Sequence, residues 1–264
     1  MLGKLLKYDL KANYLFLMVG YAVYIVLTLG FTLSVRWILH SVPTGQLEET
    51  IQMIVMIATT FLWVFAIMGV VLMTYILLIR RFYCNMVTDQ GYLTLTLPVS
   101  TRMHMLSKLI SAVIFIAATG CVLTAGMAVV AAGIGRGDFM AELLDATGRV
   151  LEELGAGFSI LVCVGGILSM LQAILLIYFS ICVGQLCAKH KVWGSIGAYL
   201  GITFAINMVT SIVAVVAGVM GNGGLLALFT ENTYSILYIV FLLALCLIYF
   251  FGGSWLLEKR ANLE

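Results

Sequence analysis

Charged residues are scarce in this chain, and their scarcity excludes most classes of soluble protein. Only 10 % of the 264 residues are Asp, Glu, Lys or Arg, whereas hydrophobic residues make up 63 %. A soluble domain carries about 25 % charged residues, so this chain has too little polar surface to cover a water-soluble globule. A soluble enzyme, a nucleic-acid-binding protein and a disordered chain are excluded. The composition indicates an integral membrane protein.

The chain contains long apolar runs. Six segments are long enough to cross the hydrocarbon core as helices, which takes about 20 residues. Their hydrophobicity is continuous rather than alternating, which excludes a transmembrane β-barrel. We therefore predict an all-α, polytopic membrane protein that forms a single domain over residues 1–264. The predicted spans are 14–35, 51–79, 109–134, 157–187, 193–220 and 234–256.

Basic residues are distributed unevenly between the predicted loops. Six spans bring both termini to one side of the membrane, and that side holds all but three of the 14 Lys and Arg residues. The exceptions are Arg36, Arg136 and Arg149. Because cytoplasmic loops carry the excess of Lys and Arg, we predict a multi-pass protein with its N- and C-termini in the cytoplasm.

The middle of each predicted span lacks charged and histidine side chains. A charge at the bilayer centre costs about 2.5–3.5 kcal/mol on insertion scales and is kept mainly for function. The three histidines lie in loops or at interfaces without metal-ligand spacing, and the sequence has no GxxxxGK[ST] phosphate-binding loop. We predict no catalytic, cofactor or metal site in this chain, so it is not an enzyme. If ATP drives its function, another polypeptide binds the nucleotide.

The fourth and fifth predicted spans contain a few uncharged polar residues. Gln172 lies near the middle of the fourth. One face of the fifth carries Thr203, Asn207, Thr210 and Ser211, and roughly opposite lie Gly194, Gly197, Gly201 and Ala205. Small residues let helices approach closely and amides hydrogen-bond between helices, so both faces suit helix packing. In the alternative interpretation, a translocation path is lined by Gln172, Thr203, Asn207 and Ser211.

The predicted cytoplasmic loop between spans two and three has features of a docking segment. Asp89-Gln90-Gly91 indicates a turn. Pro98 cannot continue a preceding helix, and Ser100 is suited to cap a new one. Apolar residues mixed with charges suit docking to a soluble partner, and the alternative is an interfacial helix that lies on lipid.

Short motifs in this loop and at both ends of the chain also carry a family resemblance. The motifs are Asp89-x-Gly91-Tyr92-Leu93, Thr96-Leu97-Pro98-Val99-Ser100, Leu106-Ser107-Lys108-Leu109, Leu6-Lys7-Tyr8-Asp9-Leu10-Lys11 and Leu257-Glu258-Lys259-Arg260-Ala261-Asn262-Leu263-Glu264. Together they resemble the permease subunits of bacterial type-2 ABC exporters. Gln90 departs from the family pattern, in which an acidic residue is expected.

The resemblance implies a function and partners. This chain would be the transmembrane subunit of an ATP-driven exporter in the bacterial cytoplasmic membrane. It would form the translocation path as a dimer, with a second copy or a paralogue, and couple to a separate ABC ATPase subunit that binds ATP and Mg²⁺. The alternatives are a non-transporting membrane scaffold or immunity protein and a substrate-binding membrane component of an uptake system.

The family resemblance also implies a coupling helix in the loop between spans two and three, which fits a cleft of the ATPase subunit. Carried over to this chain, the coupling helix covers Pro98 to Ser107. The residues expected to contact the ATPase are Tyr92, Leu93, Leu97, Pro98, Val99, Ser100, Arg102, His104 and Ser107.

Two further segments have the pattern of amphipathic helices. In residues 1–11, leucines occupy one side and lysines the other, which predicts an N-terminal interfacial helix that contacts membrane lipids. In residues 138–154, an apolar face opposes an acidic one. We predict that this second helix either rests on the outer leaflet or caps the exit of a cavity.

Overall fold

In the part of the chain that the structure describes, the regular structure consists of α-helices. The computed structural model describes residues 2–43, 45–86, 100–135, 139–187, 191–220 and 231–259. Within these ranges the helices are α1 (Leu2–His40), α2 (Gln46–Met86), α3 (Thr101–Gly133), α4 (Phe139–Leu154), α5 (Ala156–Gly184), α6 (Lys191–Met220) and α7 (Glu231–Lys259). The prediction of an all-α fold is confirmed.

Six helices in the described part of the chain are long and apolar enough to cross a membrane. The helix that does not qualify is α4, which has 16 residues. The candidate spans are Tyr14–His40, Gln46–Met86, Thr101–Gly133, Gly157–Gly184, Lys191–Ile212 and Ile236–Glu258. Each overlaps one predicted span, so the six-span prediction is confirmed and the chain is a multi-pass membrane protein.

Large apolar side chains cover much of the outer surface of these helices. Phe16, Phe65 and Ile167 are examples, each with more than half of its surface exposed. In a membrane these side chains face lipid, which is as apolar as they are. Their exposure is therefore the expected surface of a membrane protein.

The N-terminal segment is helical, as predicted, and is continuous with the first span. It forms the first turns of α1, which has 39 residues. Lys7 and Lys11 are exposed, whereas Asp9 is buried. The side of the segment that carries Asp9 is therefore turned toward protein.

Contacts between residues divide the chain into two compact units. Unit 1 comprises Met1–Leu5, Ile79–Ile110 and Leu151–Glu264, and unit 2 comprises Leu6–Leu78 and Ser111–Val150. The boundaries between them fall inside helices. That the whole chain acts as a single permease domain stays a prediction.

In unit 1, α5 packs against both α6 and α7. The Phe179 ring of α5 stacks on the Tyr249 ring of α7, with centroids 5.3 Å apart. At the end of α5, Gly184 allows the backbone of α6 to approach: a Cβ added there would lie 2.5 Å from the backbone nitrogen of Ser195. The absence of a side chain at Gly184 thus sets how closely α5 and α6 meet.

In unit 2, a chain of hydroxyl groups joins α1, α2 and α3. The Thr119 hydroxyl hydrogen-bonds with the Tyr21 hydroxyl at 2.8 Å and with the Thr74 hydroxyl at 3.0 Å. Thr74 and Thr119 are also within donor distance of carbonyl oxygens of their own helices, at 2.9 and 2.8 Å. Because no charged group is involved, this network links the helices without the large cost of burying a charge in the membrane.

Candidate functional site

The predicted coupling segment ends at a helix start that the structure describes. Ser100 immediately precedes α3, and its carbonyl oxygen accepts hydrogen bonds from the backbone N–H groups of Met103 at 2.9 Å and His104 at 3.3 Å. The prediction that a helix begins after Ser100 is confirmed. This helix runs without interruption into the third span. Five of the predicted contact residues lie outside the described residues: Tyr92, Leu93, Leu97, Pro98 and Val99.

The first turns of α3 have one exposed side and one buried side. Ser100 and Arg102 are exposed. His104 and Ser107 are buried, with 2 % and 1 % of their surface accessible. The ATPase contact stays a prediction for all four described residues of the segment. Ser100 and Arg102 are exposed in this chain, and His104 and Ser107 are buried.

Tyr178 of α5 contacts both helices that flank the loop. Its ring stacks on the Phe82 ring of α2, with centroids 4.0 Å apart and 8° between the planes. Its hydroxyl donates a hydrogen bond of 3.4 Å to the backbone carbonyl oxygen of Lys108 in α3. Phe82 and Tyr178 are both almost fully buried. We call this arrangement of Phe82, Lys108 and Tyr178 the Tyr178 clamp.

The start of α3 is also held by α7. The Arg102 guanidinium carbon lies 5.6 Å from the centroid of the Phe251 ring, which is a cation–π distance. Met105 packs over Gly253, where an added Cβ would lie 2.8 Å from the Met105 terminal methyl group. The end of the third span that adjoins the loop is thus fixed to α2, α5 and α7 together.

Sequence patterns singled out Lys108, as part of a family-like motif, but not the two aromatic residues of the Tyr178 clamp. Phe82 and Tyr178 are aromatic residues in or beside apolar runs, and such residues occur equally on lipid-facing positions. Their positions in the sequence do not predict that their side chains are in contact. Only the packing of α2 on α5 brings them together.

Gln172, one of the predicted path residues, lies at the packing of α5 against α7. Its side chain is half-buried and faces the hydroxyl group of Tyr249. The two groups are outside hydrogen-bond geometry, and the buried Tyr249 hydroxyl has no bonded partner within the part of the chain that the structure describes. Gln172 thus borders a helix interface.

The polar face of α6 has different surroundings. Asn207 and Ser211 are exposed, and Thr203 is half-buried. Of the opposing glycines, Gly197 and Gly201 have open space where a Cβ would stand, whereas Gly194 lies against Cys187 and Gly184. In the described chain, the polar face of α6 and the opposite glycine-containing face are therefore both largely exposed. That Gln172, Thr203, Asn207 and Ser211 line a translocation path stays a prediction.

Comparisons with known proteins do not assign the chain to a family. No protein family, curated protein or solved structure matches it. A function for this chain therefore rests on its own spans, motifs and contacts.

Proposed function

We propose that this chain is the transmembrane permease subunit of a bacterial ABC exporter. It forms the translocation path as a dimer with a second permease, in the cytoplasmic membrane, with both termini in the cytoplasm. A separate ABC ATPase subunit binds and hydrolyses ATP. Six candidate spans, the distribution of basic residues and the loop motifs all support this proposal.

The single observation that carries the proposal is the Tyr178 clamp. The loop between α2 and α3 holds the family-like motifs, and its two flanking helices contact the same side chain of α5. Close-packed protein interiors transmit displacement because they have little free volume. A force applied to this loop therefore reaches α5 directly.

The mechanism follows from this connection. ATP closes the ATPase dimer, and the coupling segments of the two permeases, Pro98 to Ser107 in each, move toward one another. The movement passes through the start of α3 to α5 by way of Tyr178, and to α7 by way of the contact between Arg102 and Phe251. The paired permeases then open to the outside. Residues of this chain transmit force and line the path, and catalysis belongs to the ATPase.

The proposal is tested by purification from native membranes in several mild detergents, followed by an ATPase assay. We expect a soluble subunit with a GxxxxGK[ST] motif and ATP-hydrolysing activity to co-purify. Leu97→Glu and Val99→Glu should abolish that association while leaving membrane insertion intact. Val42→Glu is the matched control, because Val42 is exposed in the loop between α1 and α2.

Two results would contradict the proposal. If the ATPase still associates and is stimulated in both loop variants, the coupling assignment is wrong. If this chain is recovered alone from every detergent, without ATPase activity, the scaffold alternative replaces the exporter.

A further inference from the structure

Helix α4 exposes an apolar face opposite a charged one. Leu143 and Leu144 are 39 % and 68 % exposed, and Thr147 is exposed beside them. These three residues share one side of the helix by the i, i+4 rule. The opposite side carries Glu142, Asp145, Arg149, Glu152 and Glu153, all exposed. Such a face needs an apolar medium, whereas the charges opposite need water.

The one polar group on the apolar face is already satisfied by the helix itself. The Thr147 hydroxyl lies 2.9 Å from the Leu143 carbonyl oxygen and 2.8 Å from that of Leu144, each within donor distance. A hydroxyl group without such a partner would cost free energy in an apolar medium. With this partner, the whole face from Leu143 to Thr147 can contact hydrocarbon.

The C-terminal end of α4 directly precedes a candidate span. Gly155 is the only residue between α4 and α5, which begins at Ala156. The candidate span of α5 is Gly157–Gly184. Leu154 is therefore separated from the candidate span only by Gly155 and Ala156.

The N-terminal end of α4 is tied to the end of α3 by a short connection. The backbone N–H groups of Ile134 and Gly135 still donate hydrogen bonds to carbonyl oxygens at the end of α3. The remaining connection from Gly135 to Phe139 has four links and reaches at most about 14 Å. The 16-residue helix is about 24 Å long. An upright helix would need a longer connection, so α4 lies along the surface.

From these observations we propose that α4 is an interfacial helix that rests on the lipid leaflet at which α3 ends and α5 begins. Leu143, Leu144 and Thr147 enter the boundary between headgroups and acyl chains, and the charged side faces water. The partner is the lipid leaflet itself. The charged side is mainly acidic, so it is directed away from lipid phosphates. This inference does not depend on the exporter function.

Fluorescent labels on the two sides of α4 test this proposal in the full chain. Leu144→Cys and the matched control Asp145→Cys are made in a background whose six native cysteines are replaced, labelled with an environment-sensitive nitrobenzoxadiazole dye and reconstituted into phosphatidylcholine vesicles. If that background does not fold, only the exposed Cys121, Cys163 and Cys187 are replaced. The signal of the labelled background is then subtracted.

The two labels should respond oppositely to two quenchers. We expect the label at position 144 to have blue-shifted emission and to lose emission to spin-labelled lipid but not to aqueous iodide. The label at position 145 should lose emission to iodide. Equal iodide quenching at both positions overturns the proposal, because α4 then stands in water. Protection of position 144 from both quenchers also overturns it, because protein then covers the face.

Discussion

The rings of Phe82 and Tyr178 lie almost parallel with their centroids 4.0 Å apart, and the Tyr178 hydroxyl reaches the Lys108 carbonyl oxygen at 3.4 Å. The two contacts differ in strength. A hydrogen bond of that length lies at the upper limit for such bonds, whereas the stacked rings bury large apolar surfaces. Most of the stabilisation in the Tyr178 clamp therefore comes from the stack.

Substitution of Tyr178 separates these two contributions. We expect Tyr178→Ala to lower the free energy of unfolding by about 3–5 kcal/mol, because it leaves a cavity beside Phe82. Tyr178→Phe should cost at most about 1 kcal/mol, since only the hydrogen bond is lost. Thermal unfolding in detergent measures both. Tyr199→Ala is the control at an exposed site, and an equal loss in that variant would show that the stack has no special role.

Thr119 joins three helices through its hydroxyl group, so its removal should loosen unit 2. We expect Thr119→Val, which keeps the shape of the side chain, to cost about 1 kcal/mol, because two hydrogen bonds between helices in a membrane contribute about 0.6 kcal/mol each. Thr119→Ser should retain most of this stability. Thr124→Val on the same helix removes a hydroxyl that contacts only carbonyl oxygens of its own helix. If this control loses as much stability as Thr119→Val, the network is not a link between helices.

Gly126 allows close approach of α1 and α3. A Cβ added there would lie 2.7 Å from the Tyr24 ring carbon Cε1, and Tyr24 is fully buried, so its ring has no room to move away. We expect Gly126→Ala to destabilise the protein by about 1–3 kcal/mol through overpacking. Gly120→Ala on the same helix meets open space and should be neutral or stabilising. Unfolding curves of the two variants give the comparison, and equal stability would contradict the close approach.

Substitutions on the exposed faces of α6 test whether these faces pack against another helix or line a translocation path. If α6 packs against the second permease of the proposed dimer, Gly201→Leu should reduce the dimer fraction. Asn207→Leu should weaken the association of the two permeases about threefold, because one hydrogen bond between membrane helices is lost. Single-molecule photobleaching in bilayers measures this fraction, and Gly69→Leu in α2, where a Cβ meets open space, is the control. A normal dimer fraction with impaired transport in Asn207→Leu would instead favour the path.

The sequence predicted most of the fold because continuous hydrophobicity is a strong signal. Each span was located from its apolar run, and the amphipathic period of residues 138–154 predicted a helix where α4 lies. The start of α3 after Ser100 followed from Pro98 and the capping preference of serine. The helix of residues 1–11 was also predicted, but an amphipathic pattern does not reveal that it continues straight into the first span.

The interior arrangement of the helices could not be predicted from the same pattern. In a membrane, lipid-facing and protein-facing positions are both apolar, so hydrophobicity does not reveal which side of a span packs. His104 and Ser107 are polar and follow a loop, which suggested exposure, yet they are buried. Thr74 and Thr119 can bond their own helices, so nothing in the sequence indicated that they also join neighbouring ones.

The joint between α4 and α5 has a consequence for sequence variation among relatives of this chain. Gly155 has φ 76° and ψ 151°, a combination that essentially only glycine adopts. Exposed apolar residues of α5, such as Ile160 and Ile167, can be replaced by other apolar residues at little cost, whereas any side chain at position 155 would strain the backbone. A glycine retained between an acidic amphipathic segment and a span would therefore mark homologous proteins that share this surface helix, even where the remaining residues have diverged.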